Sequence, residues 1–244
     1  MKAVHIQLTE KDVTEYALLP GDPGRASLIA NFLEDAVKLA ENREYISYRG
    51  VYKGIPVTVC STGIGGPSTA IAIEELSMLG VKNFIRVGTC GSLVKEIDIG
   101  SITVPYAAVR MDGTSTRYVE EVYPAVADPS LYQAILKAAE RLKHKVYTGI
   151  VLTHDRFYAP IDELLSWAEK NVIAVEMEAS VFFTLASLKG LKAAAILAVD
   201  GNLAKGTRKD KLLHDRVYLE TMKKAIEKEI LIALEAVAEH VSRS

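Results

Sequence analysis

Short apolar, β-rich runs stop abruptly along this chain at a glycine or an acidic residue, and each is followed by apolar residues at helical spacing. No other feature of the sequence constrains the fold as much. Tyr16-Ala17-Leu18-Leu19 stops at Pro20-Gly21-Asp22-Pro23-Gly24-Arg25, after which Leu28, Ile29 and Phe32 recur as on one helix face. Tyr45 to Tyr52 alternates, turns at Lys53-Gly54 and returns as Pro56 to Cys60, a hairpin. A loop, Ser61 to Ser68, then leads into a helix that begins at Pro67, runs through Ala70 to Leu79 and is capped by Gly80. Further strands are predicted at Ile102–Val109 with a break near Pro105, at Val146–Leu152, at Val172–Val175 and at Ala193–Val199. Helices are predicted from Pro129 to about Leu142, over 161–170, around Phe182 to Ala186, and from about Lys211 to Val241. Strands alternating with helices make βαβ units. The expectation is an α/β fold in a single domain over 1–244, with a mixed, mainly parallel central sheet and helices on both faces.

Composition narrows the class of partner. Of 244 residues, 49% are hydrophobic and 25% charged, and the net charge of -2 offers no electrostatic footprint for nucleic acid or an anionic membrane. Cys60 and Cys90 are too few for a disulfide framework and suit a reducing compartment. No run approaches the ~18 apolar residues of a spanning helix, and Met1 to Ile6 lacks the pattern of a secretory signal. A cytoplasmic protein is expected. No group of His, Cys or acidic residues has metal-ligand spacing, so neither a catalytic metal nor a cofactor is expected.

In a sheet of this kind ligands bind beyond the carboxyl ends of the strands, which directs attention to the residues just after each run. Phe84-Ile85-Arg86-Val87-Gly88-Thr89-Cys90-Gly91-Ser92 reads as a strand opening into a loop of small residues, where a guanidinium, a hydroxyl and glycine-flanked amides could converge on a small anion such as phosphate; the alternative is a buried strand ending in a glycine turn with a surface arginine. Arg25 follows the first strand at a helix start, a second anion-binding position; the alternative is a surface arginine on a first helical turn. Glu176, Met177 and Glu178 end a buried strand. Carboxylates there suit a pair of vicinal hydroxyls, or a helix start that favours acids. Asp200 ends the most apolar run as an acid candidate, in an Asp-Gly pair that also serves as a turn. Cys90 has no visible base partner and reads as a small buried residue.

These motifs, in this order, resemble nucleoside phosphorylase I, the family of hexameric purine nucleoside and uridine phosphorylases, from about His5 to the last helix. The resemblance implies that Gly21, Arg25, Arg86 and Thr89 bind phosphate, with Arg43 supplied by a neighbouring subunit, and that Met177 and Glu178, flanked by Glu176, bind ribose while His5 reaches the 5′-hydroxyl across an interface. It places Cys90, Gly91, Phe157 and Asp200 at the base, with Asp200 as catalytic acid, Arg86 in support and an arginine of the last helix, best matched by Arg216, beside the acid. A one-residue shift would put Gly201 at the acid's position. The implied reaction is phosphorolysis of a nucleoside to free base and ribose 1-phosphate, within purine salvage, by a homo-oligomer that is a trimer of dimers. A monovalent cation near Glu44, Ile64 and Ser68 is also implied. Ile161 and Glu163 stand where the uridine branch carries the Gln and Arg that read uracil, which favours a purine. Ser61 to Thr69 and Arg110-Met111-Asp112-Gly113 look more like the uridine branch, and Asn202 to Gly206 like archaeal purine and methylthioadenosine phosphorylases. A related nucleosidase and a non-enzymatic nucleotide-binding module are the rival readings; Gly63-Ile64-Gly65-Gly66-Pro67 lacks the dinucleotide spacing of the latter.

Overall fold

In the computed structural model, which describes residues 2–243, the chain begins with a four-residue strand, β1 (Tyr16–Leu19), buried along its whole length. Helix α1 (Pro23–Ala30) follows at once because its first residue is a proline and the Asp22 carboxylate accepts from the Gly24 amide at 2.8 Å. An antiparallel meander comes next, β2 (Glu34–Asn42), β3 (Tyr45–Tyr52) and β4 (Ile55–Cys60). Its second turn is the two-residue Lys53-Gly54, both at positive φ, which matches the twist of the strands it joins.

The remaining elements are α2 (Gly66–Met78), β5 (Asn83–Ser92), β6 (Ile102–Met111), β7 (Ala125–Val126), α3 (Pro129–Arg141), β8 (Val146–His154), α4 (Ile161–Leu165), β9 (Val172–Glu176), α5 (Ala179–Leu188), β10 (Lys192–Asn202) and α6 (Arg216–Val241). The core has two layers. Along β10, Ala193, Ala195, Leu197 and Val199 pack towards α2 and α5, while Ala194, Ile196 and Ala198 pack towards α1, α3 and α6. Burial on both faces explains why this strand reads as an uninterrupted apolar run.

All strands join one mixed sheet flanked by helices on both faces. Pairing is parallel within β4-β1-β5-β10 and within β6-β8-β9, and antiparallel along β2-β3-β4 and where the two groups meet. Because β5 pairs with both β10 and β9, the strands β5, β10, β6, β8 and β9 close into a ring, from which β1, β4, β3 and β2 extend as a wing. On the wing side of β5, β1 pairs up to Arg86 and β9 begins only at Gly91. Between them that edge of β5 carries no strand, and there the sheet parts.

Several elements differ from the sequence-based expectation. The small residues after Val87 do not form a loop: β5 continues to Ser92, paired throughout with β10. β2 carries no pattern to read, since none of its residues is fully buried and Glu-Asp-Ala-Val-Lys-Leu-Ala-Glu has no period-2 alternation. β6 runs unbroken through Pro105, absorbing it in a bulge between Pro105 and Ala107. The stretch 161–170 divides into α4 and one 3₁₀ turn, and α6 starts at Arg216, five residues later than its periodicity suggests.

Candidate active site

A cleft of about 640 Å³ opens where β1 and β9 diverge along β5. Its floor is formed by Gly88, Thr89, Cys90 and Gly91 of β5, with Gly21 and Arg25 from the β1–α1 junction on one side and Glu176, Met177 and Glu178 on the other. Two of these glycines are dictated by close approach. A Cβ on Gly21 would sit 3.0 Å from the Gly63 carbonyl oxygen of the facing loop, and one on Gly88 would sit 3.0 Å from Arg86 Nη2.

Both arginines are buried, which is rare for an unpaired cation. Arg25 Nη1 donates to the Val87 carbonyl at 3.3 Å, on the free edge of β5, and its Nε lies 3.6 Å from Glu229 Oε1 of α6. Arg86 is 3% exposed; its Nη2 donates to Glu178 Oε2 and its Nε stands 3.5 Å from Glu176 Oε2. The Arg86 Nη1 group has no hydrogen-bond partner among the described residues.

The two acids at the end of β9, Glu176 in the strand and Glu178 just beyond it, divide the work between them. Glu176 accepts from the Thr153 hydroxyl at 2.5 Å and from the Glu178 and Ala179 amides, each at 2.8 Å, so it ties β8 to the start of α5. Burial pushes its carboxyl up to about 7 although Arg86 pulls it down. Glu178 instead bridges two walls of the cleft, accepting from the Gly65 amide at 2.7 Å and from Arg86.

Asp200 does not terminate its strand. It occupies a bulge in β10 between Val199 and Gly201, and its carboxylate reaches the cleft while Gly201 packs against the backbone of Thr207 to Lys209. Its Oδ2 lies 3.0 Å from Lys209 Nζ. Arg216, expected beside the acid, lies elsewhere: its side chain is 92% exposed and 3.6 Å from Glu220. The reason is the connection from β10 to α6. Asn202 bridges Thr207 and caps a 3₁₀ turn at Leu203–Lys205, which returns Arg208 and Lys209 to the cleft before α6 begins.

At the far end stand Phe157, Leu164, Leu203, His154 and Arg156. Arg208 covers the aromatic pair, its guanidinium carbon 5.7 Å from the Phe157 ring centre and 5.6 Å from that of Tyr158. His154 Nδ1 accepts from the Arg156 amide at 3.0 Å, which assigns the ring proton to Nε2, 3.3 Å from Glu163. Cys90 lies beneath, with Sγ 3.4 Å from Thr103 Oγ1; burial pushes its thiol far up, so it is no thiolate nucleophile.

His5 and Arg43 lie outside this cleft. His5 Nδ1 is 2.7 Å from Glu75 Oε1, and its carbonyl accepts from the Asn42 side chain at 2.8 Å, which sets it beside Arg43 in the exposed β2–β3 turn. Sequence reading missed Lys209, Arg208, His154 and Arg156. For the first two a signal was present, an adjacent basic pair two residues after Gly206. Among the described residues no group of His, Cys, Asp and Glu could hold a metal ion, and no helix is long and apolar enough to cross a membrane.

Comparison with known proteins agrees with this geometry. The family model described as the phosphorylase superfamily matches residues 15–238. Guanosine phosphorylase of Halorubrum lacusprofundi is 43% identical over 237 residues, covering 97% of this chain and 98% of that protein. Uridine phosphorylase of Thermococcus kodakarensis is 42% identical over 215 residues, covering 81% and 76%. Among solved structures, purine nucleoside phosphorylase from Toxoplasma gondii in complex with immucillin-H superposes with a TM-score of 0.91 at 36% identity, covering 100% of this chain and 98% of that one. A family model matched over residues 15–238, with relatives 43% and 42% identical over most of their length, makes this chain a member of the phosphorylase superfamily.

Proposed function

We propose that the protein is a pentosyltransferase that cleaves a purine nucleoside with inorganic phosphate, giving the free base and ribose 1-phosphate. The observation that carries this reading is Arg86, a buried guanidinium fixed by Glu176 and Glu178 whose Nη1 has no hydrogen-bond partner among the described residues. A buried donor left unpaired is costly, and a phosphate oxygen is the acceptor that suits it, with Arg25, Thr89 and the close-packed backbone at Gly21 completing the cradle.

The rest of the cleft supplies the other half of the reaction. Glu178 keeps free lone pairs on both carboxylate oxygens for the ribose hydroxyls, with Met177 beneath the sugar and Glu176 holding the loop. The bound phosphate stabilises positive charge as it develops at C1′. Asp200, with Lys209 Nζ 3.0 Å from its Oδ2, hydrogen-bonds or protonates the leaving base, a role worth roughly 10²- to 10⁴-fold. Phe157 stacks on the base above Cys90 and Gly91.

Purine is favoured over uridine because Ile161 and Glu163 stand where the uridine branch carries the Gln and Arg that read uracil, and Glu163 is engaged by His154 Nε2 at 3.3 Å. Arg110, part of the segment that looks uridine-like, donates to the Glu120 and Tyr123 carbonyls at 2.6 and 2.7 Å, and Asp112 accepts from Ser115 and Ser180. That segment therefore holds a loop and does not read a base. The uridine reading keeps support from relatives that are uridine phosphorylases, and a methylthioadenosine substrate remains the other alternative within the fold.

A trimer of dimers belongs to the same proposal. His5 and Arg43, side by side and outside their own cleft, would complete a neighbour's ribose and phosphate sites. A monovalent cation would find hard oxygen donors in the Ile64 carbonyl, 3.1 Å from Ser68 Oγ, and in Glu44, whose side chain packs over Gly63. Action in the cytoplasm, in purine salvage, completes the reading. It is tested by release of base from inosine, guanosine, adenosine, methylthioadenosine and uridine, each with and without phosphate. Fastest turnover of a purine nucleoside, only with phosphate present, supports the proposal; best turnover of uridine overturns the choice of base.

A further inference from the structure

Glu229 is a carboxylic acid in the middle of α6 with no exposure to solvent and no place in the cleft. The charged groups facing it are Arg25 from α1, Arg86 from β5 and Asp200 from β10, and the Ala198 backbone of β10 lies against it. Its Oε1 is 3.6 Å from Arg25 Nε, which makes no hydrogen bond among the described residues. The phosphate-facing arginine thus has an acid directly behind it, at ion-pair distance but beyond hydrogen-bond reach.

We propose that Glu229 is a positioning residue for the anion pocket: neutral, it leaves the Arg25 guanidinium to the bound anion, and on losing its proton it draws Arg25 back. Anion binding and protonation of Glu229 then rise together, and the pocket binds a dianion more weakly as pH increases. This rests on the phosphorolysis reading, which makes Arg25 a phosphate ligand.

The direction follows from the surroundings. Burial pushes the Glu229 carboxyl up to about 8, with Arg25 and Arg86 pulling it down and Asp200 pushing it up. Near neutral pH the group is therefore mostly protonated in the empty pocket. A dianion adds negative charge and occupies Arg25, which removes what stabilised the carboxylate and raises the group further. Binding takes up a proton, so affinity is retained below about pH 8 and declines above it.

Sulfate is the probe, because it stays a dianion throughout this range and its own charge contributes no pH dependence. Its Kd is measured by calorimetry at pH 7 and pH 9 for the unaltered protein, Glu229→Gln and Glu229→Met. Dividing the unaltered value by the variant value at each pH removes the titration of Glu176 and every other shared group. That quotient is expected to rise about tenfold from pH 7 to pH 9 with either folded variant, whereas loss of a merely structural residue would shift Kd equally at both. Sulfate binding with a quotient that does not change with pH overturns the role of Glu229 while leaving the pocket standing. Failure of the unaltered protein to bind sulfate overturns the anion pocket itself, and this proposal with it.

Discussion

Lys209 Nζ lies 3.0 Å from Asp200 Oδ2, and this pair closes the cleft at the end of β10 where an arginine of the last helix was expected. The carboxylate is nearly buried while the ammonium remains partly open to water. Lys209 therefore reaches Asp200 from the solvent side of the cleft.

Substitution at the two basic positions should separate them. Lys209→Met is expected to lower kcat by about tenfold or more, with a smaller effect on phosphate KM, because it removes the partner of the acid. Arg216→Ala, which breaks only an exposed pair with Glu220, is expected to stay within about twofold on every parameter. Steady-state kinetics with both substrates varied decides the matter, and a larger loss from Arg216→Ala would return the role to the helix.

Under the proposed function Arg86 serves binding and folding together. In Arg86→Ala the buried Glu176 and Glu178 lose their shared cation, so about 3 kcal/mol of stability should go with it. Thermal unfolding should show a clear fall in Tm, and kinetics a higher phosphate KM and a lower kcat. An unchanged phosphate KM in the folded variant would contradict the assignment.

At the opposite end the effect should fall on the nucleoside alone. Phe157 is half exposed in the empty cleft, and its ring gains most when a base covers it. Phe157→Ala is expected to raise nucleoside KM by ~tenfold and to leave phosphate KM as it was. A matching rise in phosphate KM would place Phe157 outside the base subsite.

Stability should depend on pH through Glu229. Its folded-state carboxyl titrates at about 8 against an ordinary value of 4.5, so the native state holds a proton that the unfolded chain has released. Stability then falls as pH rises through that window. Relative to Glu229→Gln, the unaltered protein should lose on the order of 4 kcal/mol between pH 4.5 and pH 8. Urea unfolding at pH 5 and pH 8 measures this, and parallel curves for the two proteins at both pH values would refute it.

How far the sequence was legible follows from where each residue sits. Arg25, Arg86, Glu178 and Asp200 come directly after or within strongly apolar runs, and a sheet that parts along β5 collects such positions into one cleft. Gly88 to Ser92 read as a loop because small residues favour turns locally, yet tertiary pairing with β10 holds them in a strand. β2 escaped notice because its partner is one edge of β3 and its faces are largely solvated. Lys209 and His154 reach the cleft by the path of a connection and by the end of β8, and periodicity carries no information about either. Arg216 shows the converse: a residue matched by position along the chain, displaced because α6 starts beyond the turn that enters the site.

The central claim is that the buried arginines hold a nucleophile and not merely a counterion. Base release from guanosine and inosine, followed in phosphate-free buffer and again with phosphate added, tests it most directly. Turnover is expected to require phosphate, with ribose 1-phosphate formed in equal amount to the base. Base release at the same rate without phosphate, with free ribose as product, would contradict it.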